Sequence, residues 1–439
     1  MRTRSLPFGL ALLLTASAGA ENWPQWRGPY FNGSTTETGL PTQWSKTNNV
    51  AWAAPLPGYS GATPVVWENS VFVSSPDEQK NLLLLCLDRR TGQVRWQKVV
   101  AGGDRERGRN NMASPSPVTD GKRVFCLFGT GDLAAFDFAG QELWKRNLAR
   151  EYGSFSIKWI YGSSPMLYGD RLYVQVLQSN PGSDNDRPAP GSKPERDSYL
   201  LCLDPQTGTN LWRHIRPTDA AGESPEAYST PIPYAGKAGA EILVVGGDYL
   251  TAHSPETGAE LWRCGGLDVR NEWSWRIVPS PVAADGIIIA CAPKRDPVLG
   301  IKDGGHGLVT DTRIAWRFKE FPSDCVTPLY YRQRLFVLDG DRQTLTCLEP
   351  QTGAKIWQGS LGVQEIFRAS PTGADGKIYC LGEKGTAVVL DAGNEFKLLA
   401  TIPMGESPVR ASIAAAHGEL FIRTAKNLYC IGSARRAEP

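Results

Sequence analysis

The sequence has no apolar run long enough to cross a bilayer as a helix, which takes about 20 consecutive apolar residues. The apolar stretch from Leu6 to Leu14 is too short for this and follows Arg2 and Arg4. The small residues Ala18-Gly19-Ala20 come next, and this three-part pattern predicts an export signal cleaved near Ala20. We therefore expect a periplasmic or extracellular protein without a transmembrane segment.

The sequence also has no excess of charge of either sign. Loss of Arg2 and Arg4 with the export signal takes the basic count from 47 to 45, equal to the 45 acidic residues. Nucleic-acid binding needs a basic patch or an overall positive charge. We therefore expect no nucleic-acid partner.

Histidines are few, and the residue spacings typical of metal sites and catalytic centres are missing. The chain has only four histidines, His214, His253, His306 and His417, and no Cys-x-x-Cys, His-x-x-x-His or calcium-loop spacing. No nucleophile elbow or phosphate-binding loop occurs either. We expect no catalytic residue, no metal site and histidines at the surface or in turns, with His306 the best placed for a function.

Nine cysteines are present, and no two of them are adjacent. Four share one repeat position and three mark another strand. The two sets are Cys86, Cys202, Cys347 and Cys430, and Cys126, Cys291 and Cys380. Because cysteine is among the most buried residue types, we favour apolar core thiols over the alternative, a disulfide framework.

A short phrase ending in tryptophan recurs along the chain, with Thr-Gly in its middle. Its copies are LDRRTGQVRW ending at Trp96, LDPQTGTNLW ending at Trp212, SPETGAELW ending at Trp262 and LEPQTGAKIW ending at Trp357, with degenerate copies ending at Trp144, Trp316 and Leu399. Glycine supplies the positive φ that tight hairpins need. The phrase therefore predicts a hairpin between two strands, the second of which carries the tryptophan.

A second phrase precedes each copy: a Ser-Pro or Thr-Pro pair, a turn, and a β-rich run. Its prolines are Pro64, Pro117, Pro165, Pro231, Pro281, Pro328 and Pro371, with a variant at Ser412-Ile413. Together the two phrases predict eight units of four short strands. Such units, repeated every 40 to 50 residues or so, are typical of propeller blades.

The ends of the repeat complement each other. The strand around Trp52 arrives before any first strand, and the last unit, Ala411 to Ile431, lacks a fourth. We predict an all-β, eight-bladed propeller of four-stranded antiparallel blades, closed by the N-terminal strand so that no sheet edge is left open. The expected organisation is a signal at 1–20, an extension at 21–49, the propeller at 50–433 and a tail at 434–439.

The pattern Asp-x-x-Thr-Gly-x-x-x-Trp resembles the tryptophan-docking repeat of pyrroloquinoline-quinone-like propellers. That group includes quinoprotein dehydrogenases and the propeller lipoprotein of bacterial outer-membrane assembly, so the resemblance predicts the fold more sharply than the function. The leading segment NWPQWRGP, Asn22 to Pro29, resembles that of a subgroup of exported repeat proteins. For an enzyme, the resemblance implies pyrroloquinoline quinone with calcium and, in many members, an adjacent cysteine pair, which is missing here.

Strand alternation assigns the short Asp-Gly and Thr-Gly turns to one face of the propeller. The second-to-third loops and the links between blades lie on the other, which we call the cavity face. We place two insertions there, Ser179 to Ser198 and Ala292 to Gly305 with His306 beside it. The first is typical of a solvated low-complexity loop, and the second is short and apolar enough to fold over a pocket.

Residues just before each proline phrase should enter the channel on the cavity face. The candidate ligand-binding residues are Arg109, Asn111, Lys158, Trp159, Tyr228, Trp275, Arg276, Arg368 and Arg410, with Asn110, Met112, Tyr161 and Trp273 beside them. Such a set suits an anionic or stacking ligand. The alternative is structural: tryptophans seal the blades, and arginines pair with carboxylates such as Glu272 and Asp324.

Two functions follow. The first is an exported, monomeric, non-catalytic module that binds a protein, peptide or anionic glycan and needs no cofactor. The alternative is an oxidoreductase that uses pyrroloquinoline quinone with calcium to oxidise alcohols or sugars.

Overall fold

The computed structural model describes residues 21–45, 48–179, 197–236, 239–268, 275–294 and 297–432. Eight sheets, each built on four antiparallel strands, form a closed ring. The predicted fold class is therefore confirmed. We number the blades 1 to 8 in chain order of their innermost strands.

The four strand positions repeat in every blade. The innermost strands are Val65–Trp67, Val118–Thr119, Met166–Tyr168, Ile232–Gly236, Val282–Ala284, Leu329–Tyr331, Thr372–Ala374 and Ala414–Ala416. The second strands are Ser70–Pro76, Arg123–Leu127, Arg171–Val176, Gly239–Gly246, Ile287–Cys291, Arg334–Asp339, Lys377–Leu381 and Glu419–Arg423. The third strands are Asn81–Asp88, Asp132–Asp137, Tyr199–Leu203, Tyr249–His253, Val298–Lys302, Thr344–Leu348, Thr386–Asp391 and Asn427–Ile431. The outer strands are Val94–Gly102, Glu142–Asn147, Asn210–Ile215, Glu260–Cys264, Ile314–Phe318, Lys355–Ser360, Leu398–Pro403 and Val50–Pro55.

Few other elements are present in the described part of the chain. A small hairpin pairs Glu106–Arg107 with Asn110–Asn111, and Gly307–Leu308 adds a parallel fifth strand to blade 4. The short helices Leu148–Tyr152 and Thr310–Arg313 flank outer strands. No described helix has the length and apolar character needed to cross a membrane.

The N-terminal strand closes the ring. Val50–Pro55 pairs antiparallel with Asn427–Ile431, so it is the outer strand of blade 8, and Trp52 lies opposite Cys430. This confirms the predicted closure, which leaves blade 8 with the same four strands as the others.

Tryptophans of the outer strands tie each blade to the next one. In six of them the indole N–H donates to a backbone carbonyl of the following blade over 2.8–3.0 Å. The six are Trp52, Trp96, Trp144, Trp212, Trp316 and Trp357. The Trp52 ring lies against Gly92, where an added Cβ would come within 2.6 Å of it and where φ is +73°. Glycine in the Thr-Gly turn is therefore needed both for its φ and for the close approach of the indole.

The Ser-Pro and Thr-Pro phrases form a second tie, around the channel. In each of the eight, the backbone N–H of the Ser or Thr donates to the hydroxyl of its counterpart in the next blade, over 2.7–3.1 Å. The ring runs through Thr63, Ser116, Ser164, Thr230, Ser280, Thr327, Ser370 and Ser412 and returns to Thr63. Buried N–H groups need acceptors, and the proline that follows in seven of the eight phrases adds no further donor. We call this set the hydroxyl ring.

Apolar side chains fill the spaces between blades. All nine cysteines lie in the described ranges as thiols, and all but Cys325 are buried. The expectation of core thiols is therefore confirmed.

Two expectations about loops and histidines are wrong. The segment Ala292 to Gly305 is not one insertion, because Val298–Lys302 within it is the third strand of blade 5. His306 therefore follows a third strand and lies on the short-turn face, where the nearby Asp303 N–H bonds Gly286 O in the turn between the first two strands. The other insertion falls mostly on 180–196, outside the described residues.

His253 is also not a surface or turn residue. It is fully buried at the end of a third strand and bonds Gly258 O and the Thr251 hydroxyl at 3.0 and 2.9 Å. These bonds satisfy both ring nitrogens, which explains how an imidazole is accommodated in the core.

Candidate functional site

A cavity of about 740 Å³ occupies the channel on the cavity face. Its deep wall includes six members of the hydroxyl ring, and its mouth is built from links between blades and second-to-third loops. The charged and aromatic residues that line it are Trp26, Arg109, Trp159, Glu223, Tyr228, Trp275, Arg276, Lys294, Asp324, Asp341, Arg368, Glu383 and Arg410. This volume is in the range of small-molecule or peptide side-chain pockets.

The N-terminal extension closes the far end of the channel. It runs over the short-turn face: Trp23 exchanges two backbone hydrogen bonds with Val66 of blade 1, and Gly33 O accepts from Gly373 N of blade 7. Between these contacts Trp26 reaches the cavity, although every other lining residue comes from the propeller. The indole of Trp26 therefore forms the floor of a pocket that is open on one face.

Arg27 fixes this floor in place. Its guanidinium is buried in the channel and donates to Pro371 O at 2.8 Å and to Pro328 O at 3.0 Å, both in proline phrases. Burial lowers the pKa of Arg27 to about 9, which still leaves it charged at neutral pH. The sequence signal for this role was the leading segment NWPQWRGP, whose structural use the repeats do not reveal.

Three further aromatic side chains line the wall. The Tyr228 hydroxyl accepts from Trp159 N at 3.0 Å and donates to Glu226 at 3.2 Å. Burial raises the pKa of Tyr228 well above its ordinary value, so it stays a neutral hydroxyl. Trp275 is 46% exposed, with Lys294 Nζ 5.1 Å from its ring centre. The exposed indole offers a stacking surface at the mouth.

The cations of the cavity are paired with carboxylates. Arg368 forms an ion pair with Asp341 at 2.6 Å. Glu383 forms ion pairs with Arg410 at 2.6 Å and with Arg109 at 3.3 Å. These bonds link residues from different loops, so they also set the shape of the mouth. The cavity is therefore nearly neutral, because its five cationic side chains are accompanied by four carboxylates.

Arg276 is paired less completely. Its Nη2 lies 3.8 Å from Asp324 Oδ2, and Lys294 Nζ lies 3.7 Å from the same oxygen. Burial acts to raise the pKa of Asp324, but Arg276 and Lys294 outweigh it, so this pKa is lowered. Arg276 Nη1 is buried and has no hydrogen-bond partner among the residues that the structure describes. Because this atom is shielded from the cavity, its missing hydrogen bond is a cost to the folded chain and not a contact open to a ligand.

Seven of the nine predicted residues line the cavity. They are Arg109, Trp159, Tyr228, Trp275, Arg276, Arg368 and Arg410. Asn111 does not: it is buried, and its amide donates to Tyr59 O at 2.6 Å. Lys158 does not either, because its ammonium turns to Glu223 at 2.5 Å. Trp273 and Glu272 lie outside the described residues.

The structural alternative therefore holds for several of these arginines, and Asp324, one of the two carboxylates named for it, is paired with Arg276. Sequence reasoning missed the floor residue Trp26 and three carboxylates, Glu223, Asp341 and Glu383. Two of these, Asp341 and Glu383, follow second strands, where no repeated phrase marks the position. Whether the lining residues bind a ligand remains a prediction.

The thiol and the carboxylates of the cavity are the side chains whose chemical state bears most on its function. Burial raises the pKa of the Cys325 thiol to about 12, with Asp324 adding to the effect, so the reactive thiolate is scarce at neutral pH. No group of three or more His, Cys, Asp or Glu suited to a metal occurs among the described residues. The four cavity carboxylates each face a Lys or Arg, which does not fit the oxygen cage that calcium requires.

Solved structures share this fold at low sequence identity. BamB from Moraxella catarrhalis is 14% identical with a TM-score of 0.59, and covers 87% of this chain and 99% of its own. A europium-containing methanol dehydrogenase is 12% identical with a TM-score of 0.68, over 93% and 90% of the two chains. Quinohemoprotein alcohol dehydrogenase from Comamonas testosteroni is 13% identical with a TM-score of 0.62, over 95% and 82%. Such likenesses show the fold alone.

No curated protein matches the chain in sequence. The family described as "Outer membrane protein assembly factor BamB" does match, over residues 33–178, 196–320 and 308–395, which together make up most of the chain. Its repeats are of the pyrroloquinoline-quinone-like type that the tryptophan phrase resembles. The protein therefore belongs to this propeller family.

Proposed function

We propose that the chain is an exported, non-catalytic binding module whose cavity receives an acidic group of a protein or peptide partner. The observation that carries this proposal is the shared pairing of Arg276 and Lys294, whose charged groups lie 3.8 and 3.7 Å from one oxygen of Asp324 and have no second carboxylate among the described residues. An incoming carboxylate would supply that second counter-charge. The exposed Trp275 indole and the Lys294 ammonium next to it provide stacking and a second charge.

A protein partner is favoured over an anionic glycan because the charges of the cavity are nearly balanced. A sulfated glycan presents charge along its whole length and suits an extended basic surface. Here the cavity face offers Arg276 and Lys294, which share Asp324, with Lys294 over the exposed Trp275 ring. Membership in a family named for an outer-membrane assembly factor also supports a protein partner in an exported compartment.

The test measures binding of defined probes by titration calorimetry. The probes are a hexaglutamate peptide, a hexalysine peptide of equal length and a sulfated oligosaccharide. The Arg276→Gln variant should bind the acidic peptide about tenfold more weakly, since a charge-assisted hydrogen bond is lost. The matched control is Arg95→Gln, which also removes an aspartate-paired arginine, but from an outer strand. Equal binding by native and Arg276→Gln protein, with unchanged circular dichroism, would refute the proposal.

A quinone-dependent oxidoreductase is the second candidate function. One observation favours it: the channel ends in an indole floor, with arginines above that suit a planar anion. The cavity carboxylates do not fit the calcium that the resemblance implies, because each of them is paired with a Lys or Arg. A titration with pyrroloquinoline quinone and calcium separates the two functions.

A further inference from the structure

Glu21, the first residue after the predicted cleavage point, is held firmly by the extension. Its carboxylate accepts from the Thr36 N–H at 2.8 Å, from the Tyr30 hydroxyl at 2.5 Å and from the Thr35 hydroxyl. Asn22 then bonds Glu68 N at 2.7 Å, and Trp23 pairs with Val66. The first residues of a domain commonly fray, so this anchoring of Glu21 to Trp23 needs a reason.

The backbone nitrogen of Glu21 points at a buried carboxylate. It donates to Oε1 of Glu37, whose Oε2 accepts from Gly418 N at 2.6 Å in blade 8. Glu37 is only 7% exposed, and no Lys, Arg or His forms an ion pair with it within the described ranges. A buried carboxylate without a cation is costly, even with two N–H donors.

We propose that Glu37 is the receptor for the α-ammonium group that forms when the chain is cut between Ala20 and Glu21. The cut is hydrolysis by a signal peptidase: water adds across the peptide bond, Ala20 leaves with a carboxylate, and Glu21 gains an amine that is protonated at neutral pH. The inference rests on the proposed export. The new ammonium lies where the amide N–H already points, and it supplies the missing cation.

Processing then strengthens the floor of the cavity. Glu37 lies in the same extension as Trp26 and contacts two blades, through Gly418 N and through its own carbonyl, which accepts from Asp375 N at 3.1 Å. An ion pair from the chain terminus to Glu37 draws the start of the extension onto blades 7 and 8. The cut chain should therefore hold its floor more tightly than the uncut chain.

The test compares chains that begin at Glu21 and carry either a free or an acetylated α-amine. Acetylation keeps one N–H and removes the charge, so it reproduces the uncut amide without any substitution. The free-amine form should unfold in urea with an equilibrium constant about tenfold lower than that of the acetylated form, as for a buried charge-assisted hydrogen bond. Equal stability of the two forms would overturn the proposal.

A double-mutant cycle shows whether Glu37 is the partner. In Glu37→Gln the difference between the free and acetylated forms should disappear, whereas in Glu68→Gln, an exposed carboxylate beside Asn22, it should persist. A difference that survives in Glu37→Gln would also overturn the proposal. The comparison in the native sequence decides the question if Glu37→Gln folds poorly.

Sequencing the N-terminus of the chain recovered from the exporting cell tests the cleavage site independently of the contact between Glu37 and the new ammonium group. A terminus at Glu21 supports the proposal, and any other terminus removes its biological basis. Neither result depends on whether the cavity binds an acidic peptide.

Discussion

The indole N–H of Trp52 donates a 2.8 Å hydrogen bond to the backbone carbonyl of Arg89. Trp52 belongs to the closing strand of blade 8, and Arg89 lies at the hairpin between the third and outer strands of blade 1. The Arg89 guanidinium also bonds Glu419, in the second strand of blade 8, at 2.5 Å, and both side chains are buried. Blade 1 therefore contacts both parts of blade 8: the N-terminal strand through Trp52 and a C-terminal strand through Glu419.

Trp52→Ala should lower the free energy of unfolding by about 3–5 kcal/mol, as expected for loss of a buried aromatic. Trp52→Phe keeps a ring and loses only the bond to Arg89 O, so it should cost less. Urea unfolding measures both. If Trp52→Ala costs no more than an exposed outer-strand change such as Leu211→Ala, the closure does not stabilise the ring.

A chain that begins at Gly58 should be far less stable than a chain that begins at Asn48. Both lack the extension, but only the first lacks Val50–Pro55, so it opens the edge of Asn427–Ile431. We expect the shorter chain to associate and to melt earlier, as measured by light scattering and calorimetry. A monomeric Gly58 chain that melts with the Asn48 chain would show that the ring does not depend on the closing strand.

Ser164→Ala should cost about 1–3 kcal/mol, because it leaves the buried N–H of Ser116 without its acceptor. Ser164→Thr is the matched control, since threonine already serves at three positions of the hydroxyl ring, Thr63, Thr230 and Thr327. It retains the hydroxyl and should be close to neutral. A Thr variant as unstable as the Ala variant would mean that packing, not the hydrogen bond, accounts for the cost.

The fold and the site differ in how far the sequence predicts them. The phrases repeat because the proline phrase makes the same interblade bond in all eight blades and an outer-strand tryptophan makes one in six, so their count gives the blades. The strand Val298–Lys302 was missed because no Thr-Gly turn follows it, and Trp262 accordingly bonds Glu241 at 3.1 Å instead of a carbonyl of the next blade.

The site is less visible because its members lie outside the repeat. Arg368 and Arg410 could be found because residues before a proline phrase enter the channel at a fixed place. Their partners Asp341 and Glu383 lie in loops whose sequences differ from blade to blade. Trp26 comes from the extension, and only the folded chain shows that the extension reaches the channel.

Pyrroloquinoline quinone with calcium should leave the melting temperature unchanged. A ligand that binds only the folded chain, at a hundred times its dissociation constant, would add about 2.7 kcal/mol of stability. We expect no such gain because the cavity carboxylates are paired with Lys or Arg. A clear rise in melting temperature that needs both quinone and calcium would favour the oxidoreductase.

The eight buried thiols should react with a thiol reagent only after unfolding, whereas Cys325 is only partly buried and lines the cavity. Burial raises the pKa of Cys86 to about 11 and that of Cys202 and Cys347 to about 12, and eight of the nine cysteines are buried. Counting labels by mass in native buffer and in denaturant, without reductant, checks this. Fewer than nine labels in denaturant would reveal a disulfide in the purified protein.

Stability should fall as the pH drops from about 6.5 towards 3, and His253 should account for part of this. Burial, with Arg216 adding, lowers the pKa of His253 to about 3 in the folded chain, against about 6.5 when unfolded. Between these pKa values the His253 imidazole is protonated in the unfolded chain and neutral in the folded chain. The stability contributed by neutral His253 is therefore full above pH 6.5 and declines by up to about 1.4 kcal/mol per pH unit below it.

His253→Asn should reduce this slope in urea unfolding measured from pH 7 to pH 4, although it will lower stability at pH 7 by disturbing the bonds to Gly258 and Thr251. Leu211→Ala, at an exposed position of an outer strand, is the non-titrating control and should keep the native slope. Carboxylates remote from His253 contribute equally in all three proteins; Glu260, which interacts electrostatically with His253, is the exception. An unchanged slope in His253→Asn would mean that the buried imidazole is not a source of the acid sensitivity.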